Sequence, residues 1–196
     1  MKLQSQSDQD LIHSYIGGNE ASLEELIRRH KSKIYTSIYL LVKDQYLAED
    51  IFQDTFIKVI NTLKAGKYNE EGKFLPWVMR IAHNLVIDFF RKEKRTPVIT
   101  NVDGFDIFDV IKIYDESMED RIVREQTHKD LKAMIQLLPS EQKEVLIMRH
   151  YGELSFKEIA DITEVSINTA LGRMRYALNN LRKMMQLKEV SVKNTG

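Results

Sequence analysis

The stretch "EIADITEVSINTALGRMRYAL", residues 158–178, combines two helical patterns separated by a short turn. Ser155 and Glu158 have the S-x-x-E spacing of a capping box, which predicts that a helix begins at Phe156. The residues "TEVS" can turn the chain, and Ser166 can cap a second helix. A capped helix, a tight turn and a second helix fit a helix-turn-helix, whose second helix enters the major groove of DNA.

The second helix of this pair separates apolar from polar residues. Between Ile167 and Lys188 the sequence has five basic residues and no acidic one. At about 100° per residue, one face collects small and apolar side chains and the other collects polar ones. The predicted core face carries Ala170, Met174, Ala177, Leu178 and Leu181. The predicted outer face carries Asn168, Gly172, Arg175, Tyr176, Asn179 and Lys183, with Arg173 on its flank. A solvated basic face on a packed helix is the alternative interpretation.

A second candidate surface lies in "FLPWVMRIAHNLVIDFFRKEKR", which begins at Phe74. One flank of the predicted helix carries Trp77, Arg80, Asn84, Ile87, Asp88 and Arg91. An aromatic plane and an amide beside cations can stack on and hydrogen-bond single-stranded nucleic acid. We expect Phe74, Val78, Ile81, Leu85 and Phe89 to face the core, and Met79, Val86 and Phe90 to form an outer apolar strip. The alternative is that Trp77 is simply a core residue.

An acidic face is predicted on the helix "AEDIFQDTFIKVI". Its apolar stripe consists of Ile51, Phe52, Phe56, Val59 and Leu63. Glu49, Asp50, Gln53 and Asp54 project away from this stripe. Because Asp50 and Asp54 are one turn apart, their repulsion slightly destabilises an isolated helix, and a basic protein partner would offset it. A merely solubilising face remains the alternative.

Composition excludes several classes of protein. The chain has 29 basic and 29 acidic residues and no cysteine, so disulfides and thiolate chemistry are excluded. The five histidines lack metal-ligand spacing, no glycine-rich phosphate loop follows a strand, and no nucleophile with a base can be assembled. We therefore expect neither a cofactor, nor a metal, nor enzymatic activity. No apolar run reaches the roughly 20 residues of a membrane span. A cytoplasmic protein is expected.

The organisation along the chain is nearly all helical, with three prolines and eight glycines in 196 residues. Apolar residues recur at three- and four-residue spacing in most long stretches, which predicts an all-α fold. From Thr96 the helical periodicity becomes poor and the composition becomes acidic. Residues 101–130 contain nine acidic and four basic residues, a net charge of minus five. The first half of this stretch reads as an acidic linker between two small helical domains.

From the N-terminus to the C-terminus, the acidic helix, the helix from Phe74 and the helix pair follow one another in the same order as three motifs of an RNA polymerase sigma factor of the extracytoplasmic-function (ECF) group, which they resemble. "AEDIFQDTFIKVI" is similar to the helix by which sigma region two docks on the polymerase. "GKFLPWVMRIAHNLVIDFFRKEKR" is similar to the part that opens and reads the minus-ten promoter element. "LPSEQKEVLIMRHYGELSFKEIADITEVSINTALGRMRYALNNLRK" is similar to region four, which binds the minus-thirty-five element. The resemblance covers nearly the whole chain.

The resemblance implies roles for individual residues. Glu49, Asp50, Gln53 and Asp54 would bind the core polymerase, with Phe56 packing the helix. Lys73, Trp77, Arg80, Asn84, Asp88 and Arg91 would bind minus-ten DNA, with the Asn84 position associated with a pocket for a flipped base and the loop 67–73 near it. Ser166, Asn168, Thr169, Arg173, Arg175, Tyr176 and Asn179 would bind minus-thirty-five DNA.

The resemblance also implies domains and partners. Region two would occupy residues 1–95, the linker 96–118 and region four 119–188, followed by a tail at 189–196. Core RNA polymerase would bind through the clamp helices of its largest subunit and the flap of its second-largest subunit. Promoter DNA and a membrane-anchored anti-sigma factor complete the implied partners, without insertion of this chain into the membrane.

Five residues depart from the family pattern: Glu164 in the turn, and Asn168, Ala170, Leu171 and Gly172 in the second helix. Leu171 stands where the family commonly has lysine, and Gly172 where it commonly has serine. A glycine in mid-helix costs about 1 kcal/mol relative to alanine. We expect the base sequence read by this helix to have changed here. On the residues alone, a stand-alone helix-turn-helix regulator with a ligand-binding or dimerisation domain remains the alternative to a sigma factor.

Overall fold

The computed structural model of the chain describes residues 3–69, 72–93 and 130–193, with side chains up to residue 187. Within these ranges every regular element is helical, as the sequence predicts. In chain order they are a 3-10 turn (Leu3–Ser5), α1 (Asp8–Ile16), α2 (Glu20–Val42), α3 (Gln45–Lys64), α4 (Phe74–Glu93), α5 (residues 130–136), α6 (Ser140–His150), α7 (Phe156–Thr163) and α8 (Ile167–Lys193). The chain divides into two compact units, the first containing α1 to α4 and the second α5 to α8.

Side-chain caps set the starts of α1 and α3 in the first unit. Ser7 and Asp10 form a capping box, in which the Ser7 hydroxyl accepts the Asp10 amide at 3.1 Å and the Asp10 carboxylate accepts the Ser7 amide at 3.2 Å. Asp44 caps α3 by accepting the Leu47 amide at 2.8 Å. Lys43, just before it, adopts the left-handed conformation with φ of 61° and ends α2. The turn between α2 and α3 therefore needs no additional loop residues.

The core of the first unit is formed by the inner faces of its four long helices. α2 packs against α1, α3 and α4, and α3 also packs against α4. Fully buried side chains include Leu11, Leu26, Ile34, Ile38, Val59, Leu63, Phe74 and Val78. Each fully buried Leu, Ile or Phe contributes about 1.5–3 kcal/mol through the hydrophobic effect. This packing fixes the outer faces of α3 and α4, which carry the predicted contacts.

The buried face of α4 differs from the one expected from sequence. Phe74 and Val78 are buried as predicted, but Met79 and Val86, expected on an outer strip, are also buried. Ile81, Leu85 and Phe89, expected inside, are only half-buried. α4 has apolar residues around much of its circumference, so periodicity did not determine which stripe faces the core. Packing selects the stripe that runs from Phe74 through Val78 and Ala82 to Val86.

The second unit contains the capped helix pair. The Ser155 and Glu158 capping box is present, and α7 begins at Phe156 as predicted. Ser166 caps α8 by accepting the Thr169 amide at 3.0 Å, which also confirms the prediction. α8 packs against both α6 and α7. One core cluster joins Ile135, Leu138, Leu146, Ala177 and Leu181, with Met134, Met174 and Met184 partly buried against it.

The prediction of the α8 core is wrong for one residue, Leu178. Ala170, Ala177 and Leu181 are buried and Met174 is partly buried, whereas Leu178 is 46% exposed. Ala177 is fully buried, and Leu178 follows it by about 100° of helix rotation, which carries its side chain off the buried face. The helical pattern identified the correct half of the helix but not its edge.

The predicted linker, residues 96–118, lies outside the described residues. The proposed boundaries near residues 95 and 118 lie there too and stay predictions. α8 continues to Lys193, past the predicted end of the second domain at residue 188. Among the described residues, no helix combines the length and the hydropathy needed to cross a bilayer. The same ranges contain no group of three or more His, Asp or Glu side chains arranged to hold a metal ion.

Candidate nucleic-acid interface

The exposed face of α4 collects the polar residues predicted to contact minus-ten DNA. Arg80, Asn84, Asp88 and Arg91 are all exposed, at spacings of three or four residues. Arg91 donates a hydrogen bond to Asp88 at 3.0 Å, with both side chains more than half exposed. The ion pair is worth little in water, so the guanidinium can exchange it for a phosphate at small cost. α4 therefore presents cations around a single exposed amide, that of Asn84.

Trp77 is placed by aromatic neighbours rather than buried in the core. Its ring lies 4.5 Å from the ring of Tyr68 and 6.0 Å from that of Phe74, measured between centroids. Trp77 is half-buried, and its amide donates to the carbonyl of Lys73 at 3.1 Å, in the first turn of α4. Lys73 itself is exposed. Trp77 thus keeps part of its surface exposed while its ring packs against two aromatic neighbours.

Tyr68 was not singled out from the sequence, although it belongs to the loop 67–73 that was predicted to lie near the site. It lies between Gly66 and Gly72, which both adopt positive φ angles, of 62° and 67°. These conformations favour glycine, and the Tyr68 ring contacts Trp77 of α4. A shallow depression beside this loop is lined by Asp8, Gln9, Ile12, Tyr68, Gly72 and Phe74. Asn84 is not among the residues that line this depression. The predicted proximity of the loop 67–73 to an Asn84 pocket stays a prediction.

The outer face of α3 carries the predicted acidic residues. Asp50, Gln53 and Asp54 are exposed, while Glu49 is half-buried and accepts a hydrogen bond from Gln45 at 3.0 Å. Phe56 is buried, as expected for a packing residue.

Two exposed apolar residues extend this acidic face in both directions. Tyr46 is 81% exposed one turn before Asp50, and Ile57 is 54% exposed one turn after Gln53. Sequence reasoning missed both residues, although their spacing of four residues from the acidic positions was visible. Acidic groups between two exposed apolar side chains are suited to a protein partner that is basic at its centre and apolar at its edges.

The turn between α7 and α8 is built without glycine. Glu164 takes the left-handed conformation, with φ of 56°, and its amide donates to the carbonyl of Ala160. The Ser166 hydroxyl accepts the Thr169 amide and lies 2.8 Å from the Thr169 hydroxyl. Both hydroxyls predicted to contact DNA are therefore held together at the start of α8.

The predicted DNA face of α8 is solvent-exposed at most positions. Asn168, Thr169, Arg175 and Tyr176 are exposed, and Arg173 and Asn179 are half-buried. Asn179 accepts a hydrogen bond from Arg182 at 3.2 Å, one turn further along the helix. These side chains provide amide, hydroxyl and guanidinium groups on a helix with no acidic residue from Ile167 to Leu187. A helix of this character suits the major groove of duplex DNA, where base edges and phosphates are both within reach.

Two features define the class of protein: an all-helical unit with an exposed polar face on α4, and a second helical unit that contains a helix-turn-helix. The model of sigma-70 region 2 matches residues 26–96, and the model of sigma-70 region 4 matches residues 128–179. The chain belongs to the sigma-70 family, as an ECF RNA polymerase sigma factor. The match to both regions disfavours a stand-alone helix-turn-helix regulator.

Individual relatives agree with this assignment. The chain is 27% identical to the ECF RNA polymerase sigma factor SigW of Bacillus subtilis, over 86% of this chain and 91% of SigW. It is 26% identical to the RNA polymerase sigma-H factor of Pseudomonas aeruginosa, over 94% of this chain and 96% of that protein. These relatives are sigma factors rather than known enzymes.

Solved structures show the same fold. The sigma factor RpoE, crystallised with the anti-sigma factor NepR from Bartonella quintana, superposes with a TM-score of 0.66 at 18% identity, covering 84% of this chain and 96% of RpoE. CnrH, in complex with the cytosolic domain of CnrY, gives a TM-score of 0.64 at 18% identity, covering 93% of this chain and 99% of CnrH.

Proposed function

We propose that this sigma factor directs transcription initiation through three separate surfaces. The acidic face of α3 binds core RNA polymerase, the exposed face of α4 captures the opened minus-ten element, and α8 contacts the minus-thirty-five duplex. Bond formation in RNA synthesis belongs to the polymerase. The observation that carries the proposal is the presence of a region two and a region four, in that order, in one chain.

The polymerase contact rests on charge and exposure. Asp50 and Asp54 lie one turn apart on a face whose neighbours Tyr46 and Ile57 are strongly exposed. Basic residues on the clamp helices of the largest subunit would relieve the repulsion between the two carboxylates and bury both apolar side chains. The charges then accelerate and orient docking, while the apolar contacts supply affinity. The helix-turn-helix unit of this chain would contact the flap of the second-largest polymerase subunit.

Capture of the minus-ten strand rests on α4 and Trp77. The partly exposed indole offers a surface on which an unstacked base can stack, which contributes about 1–3 kcal/mol per base. Asn84 can donate to and accept from a base edge, while Arg80, Arg91 and Lys73 approach phosphates. Holding unpaired bases shifts the equilibrium toward open DNA, because the duplex offers none of these contacts.

Duplex contact at the minus-thirty-five element rests on α8. Arg173 and Arg175 provide phosphate or guanine contacts, and Asn168 and Thr169 lie in the first turn, where a recognition helix approaches base edges. Each phosphate neutralised by a cation releases counterions, so binding should weaken as salt rises. The absence of acidic residues from Ile167 to Leu187 gives a chain without net charge a locally basic surface.

We also propose that an inhibitory protein controls this sigma factor. RpoE and CnrH, which share its fold, were each solved in complex with another protein, an anti-sigma factor in the case of RpoE. A membrane-anchored anti-sigma factor would hold this chain at the cytoplasmic side of the membrane until a signal releases it. Such a partner would compete with polymerase or DNA for the faces of α3, α4 or α8.

In vitro transcription tests the proposal. Bacterial core polymerase would be supplied with promoter fragments from the source genome, with and without this protein. Specific transcripts should appear only when the protein is present. DNA binding without any gain in specific initiation would exclude the sigma-factor role. The matched control is a variant with Asp50 and Asp54 both changed to lysine, which should bind duplex DNA but support no initiation.

A further inference from the structure

Leu171 is an exposed apolar residue within the first two turns of α8. Its side chain is 43% exposed, whereas the adjacent Ala170 is fully buried. It therefore does not belong to the core of the second unit. Asn168 precedes it by three residues and Arg175 follows it by four, so the three share one side of the helix. Both neighbours are exposed.

Gly172 follows Leu171, and no contact among the described residues requires glycine there. A methyl group built at its Cα position meets no heavy atom within 4 Å. Its φ angle is not among the positive values found elsewhere in the described chain. Glycine in mid-helix is destabilising relative to alanine, so the position carries a penalty that neither packing nor backbone conformation explains. Close approach of another molecule would explain it.

We propose that Leu171 contacts the C5-methyl group of a thymine in the major groove, and that Gly172 lets the DNA approach α8 closely enough for this contact. The inference rests on the proposed binding of α8 to the minus-thirty-five duplex. Thymine is the base that presents a methyl group in this groove, and apolar side chains recognise it by van der Waals contact. Leucine has no donor or acceptor for the other base edges, so it selects a T·A pair.

The placement of its neighbours favours DNA over a protein partner for Leu171. Asn168 carries an amide that can pair with adenine, and Arg175 carries a guanidinium that can reach guanine or phosphate. Ile167 and Leu178 are also exposed on this side of the helix, at 45% and 46%. α8 nevertheless has no acidic residue from Ile167 to Leu187, so its charge favours DNA over a protein surface.

Deoxyuridine substitution tests the methyl contact. Holoenzyme reconstituted from core polymerase and the full-length chain would be used to select promoters from a library randomised across the minus-thirty-five element. Each conserved thymine would then be replaced by deoxyuridine, which removes only the methyl group. We expect one replacement to weaken binding about fourfold, the amount that corresponds to burying one methyl-sized group. In Leu171→Ala the same replacement should have no effect.

Two further variants complete the test. Leu171→Lys should move the selected base from thymine toward guanine, which lysine recognises. Gly172→Ala should raise the Tm of the protein by roughly 3 °C while weakening promoter binding at least fivefold. A merely structural glycine would instead give a more stable protein with unchanged binding, and that result would overturn the close-approach argument.

The possible failures are distinguishable. If no holoenzyme variant selects any promoter, the proposed function itself is wrong, and this inference fails with it. If the wild-type holoenzyme selects a sequence but deoxyuridine affects wild type and Leu171→Ala equally, only the thymine contact is wrong. If Leu171→Ala binds the selected DNA normally but loses affinity for core polymerase, Leu171 belongs to a protein contact and the inference is overturned.

Discussion

The ring of Tyr68 packs against the ring of Trp77, with centroids 4.5 Å apart and planes inclined by 52°. Tyr68 lies in the loop between α3 and α4, and Trp77 lies in the first turn of α4. The contact joins a glycine-flanked loop to the helix that carries Asn84. A tilted aromatic pair of this kind contributes about 0.5–1.5 kcal/mol beyond its buried area. It therefore favours one orientation of the Trp77 ring.

Removing the Tyr68 ring should impair promoter opening. In Tyr68→Ala the loop and the indole lose their mutual support, so we expect about fivefold slower formation of open complexes. Permanganate reactivity of minus-ten thymines measures this directly. Tyr68→Phe, which keeps the ring, is the matched control and should open promoters at nearly the wild-type rate. Equal opening by the alanine and phenylalanine variants would show that the ring pair has no part in capture.

The sequence predicted the local features of this site better than its three-dimensional ones. Capping by Ser155 and Ser166 follows from hydrogen bonds between residues three apart, so a linear motif contains all the information needed. The contact between Tyr68 and Trp77 depends on how a loop with two left-handed glycines folds back. No periodic pattern encodes that geometry, and the contact of Tyr68 with Trp77 emerged only from the structure.

Apolar periodicity failed where a helix is apolar on more than one side. On α4, Met79 and Val86 are buried although an alternative stripe through Ile81 and Leu85 was equally consistent with the spacing. On α8, Ala177 and Leu181 are buried, whereas Leu178, which was predicted on the same face, is exposed. Which of two adjacent stripes is buried depends on the neighbouring helices, and this information is distributed over the whole unit.

Reversing charge on α3 should weaken polymerase binding. Asp50→Lys places a cation where we propose a basic partner surface, so affinity for core polymerase should fall at least tenfold. Fluorescence anisotropy of the labelled protein titrated with core polymerase measures it. Glu24→Lys is the matched control, because Glu24 is an exposed acid on α2 and its replacement changes the net charge identically. Comparable losses in both variants would indicate a general charge effect rather than a docking face.

Removing the cap of α7 should destabilise the second unit without removing a proposed DNA contact. Ser155→Ala removes the oxygen that accepts the Glu158 amide, at a cost of about 1 kcal/mol. Thermal unfolding followed by circular dichroism should show a Tm lower by a few degrees. Ser166→Ala removes an equivalent cap from α8 and should reduce both stability and promoter affinity. Unchanged promoter affinity in Ser166→Ala would remove Ser166 from the proposed contacts.

Lowering the pH should remove the contribution that Asp8 makes to the stability of the folded protein. Its carboxylate lies 2.7 Å from the imidazole of His30 and 2.8 Å from the guanidinium of Arg29. These neighbours, His30 foremost, hold the pKa of Asp8 below its ordinary value despite partial burial. Because the folded state favours the ionised form, the stabilisation is present above about pH 4 and is lost as the pH falls through the lowered pKa.

Asp8→Asn isolates this effect. The variant should be less stable than wild type at neutral pH, and the difference in the free energy of unfolding should shrink as the pH falls below about 4. Urea unfolding at a series of pH values provides the measurement. Parallel curves for the two proteins across this range would mean that Asp8 does not favour its ionised form in the folded protein.

Asn84→Ala should separate DNA opening from DNA binding. Asn84 is exposed at the centre of the α4 face, and its amide can hydrogen-bond the edge of an unstacked base. Since duplex DNA hides that edge, the variant holoenzyme should bind closed promoters normally but form open complexes about tenfold less well. An abasic nucleotide at the captured position of the non-template strand removes the base itself. On that template wild type and Asn84→Ala should open the promoter equally. If the variant instead lost closed-complex binding and opening to the same extent, Asn84 would act before strand separation rather than in base capture.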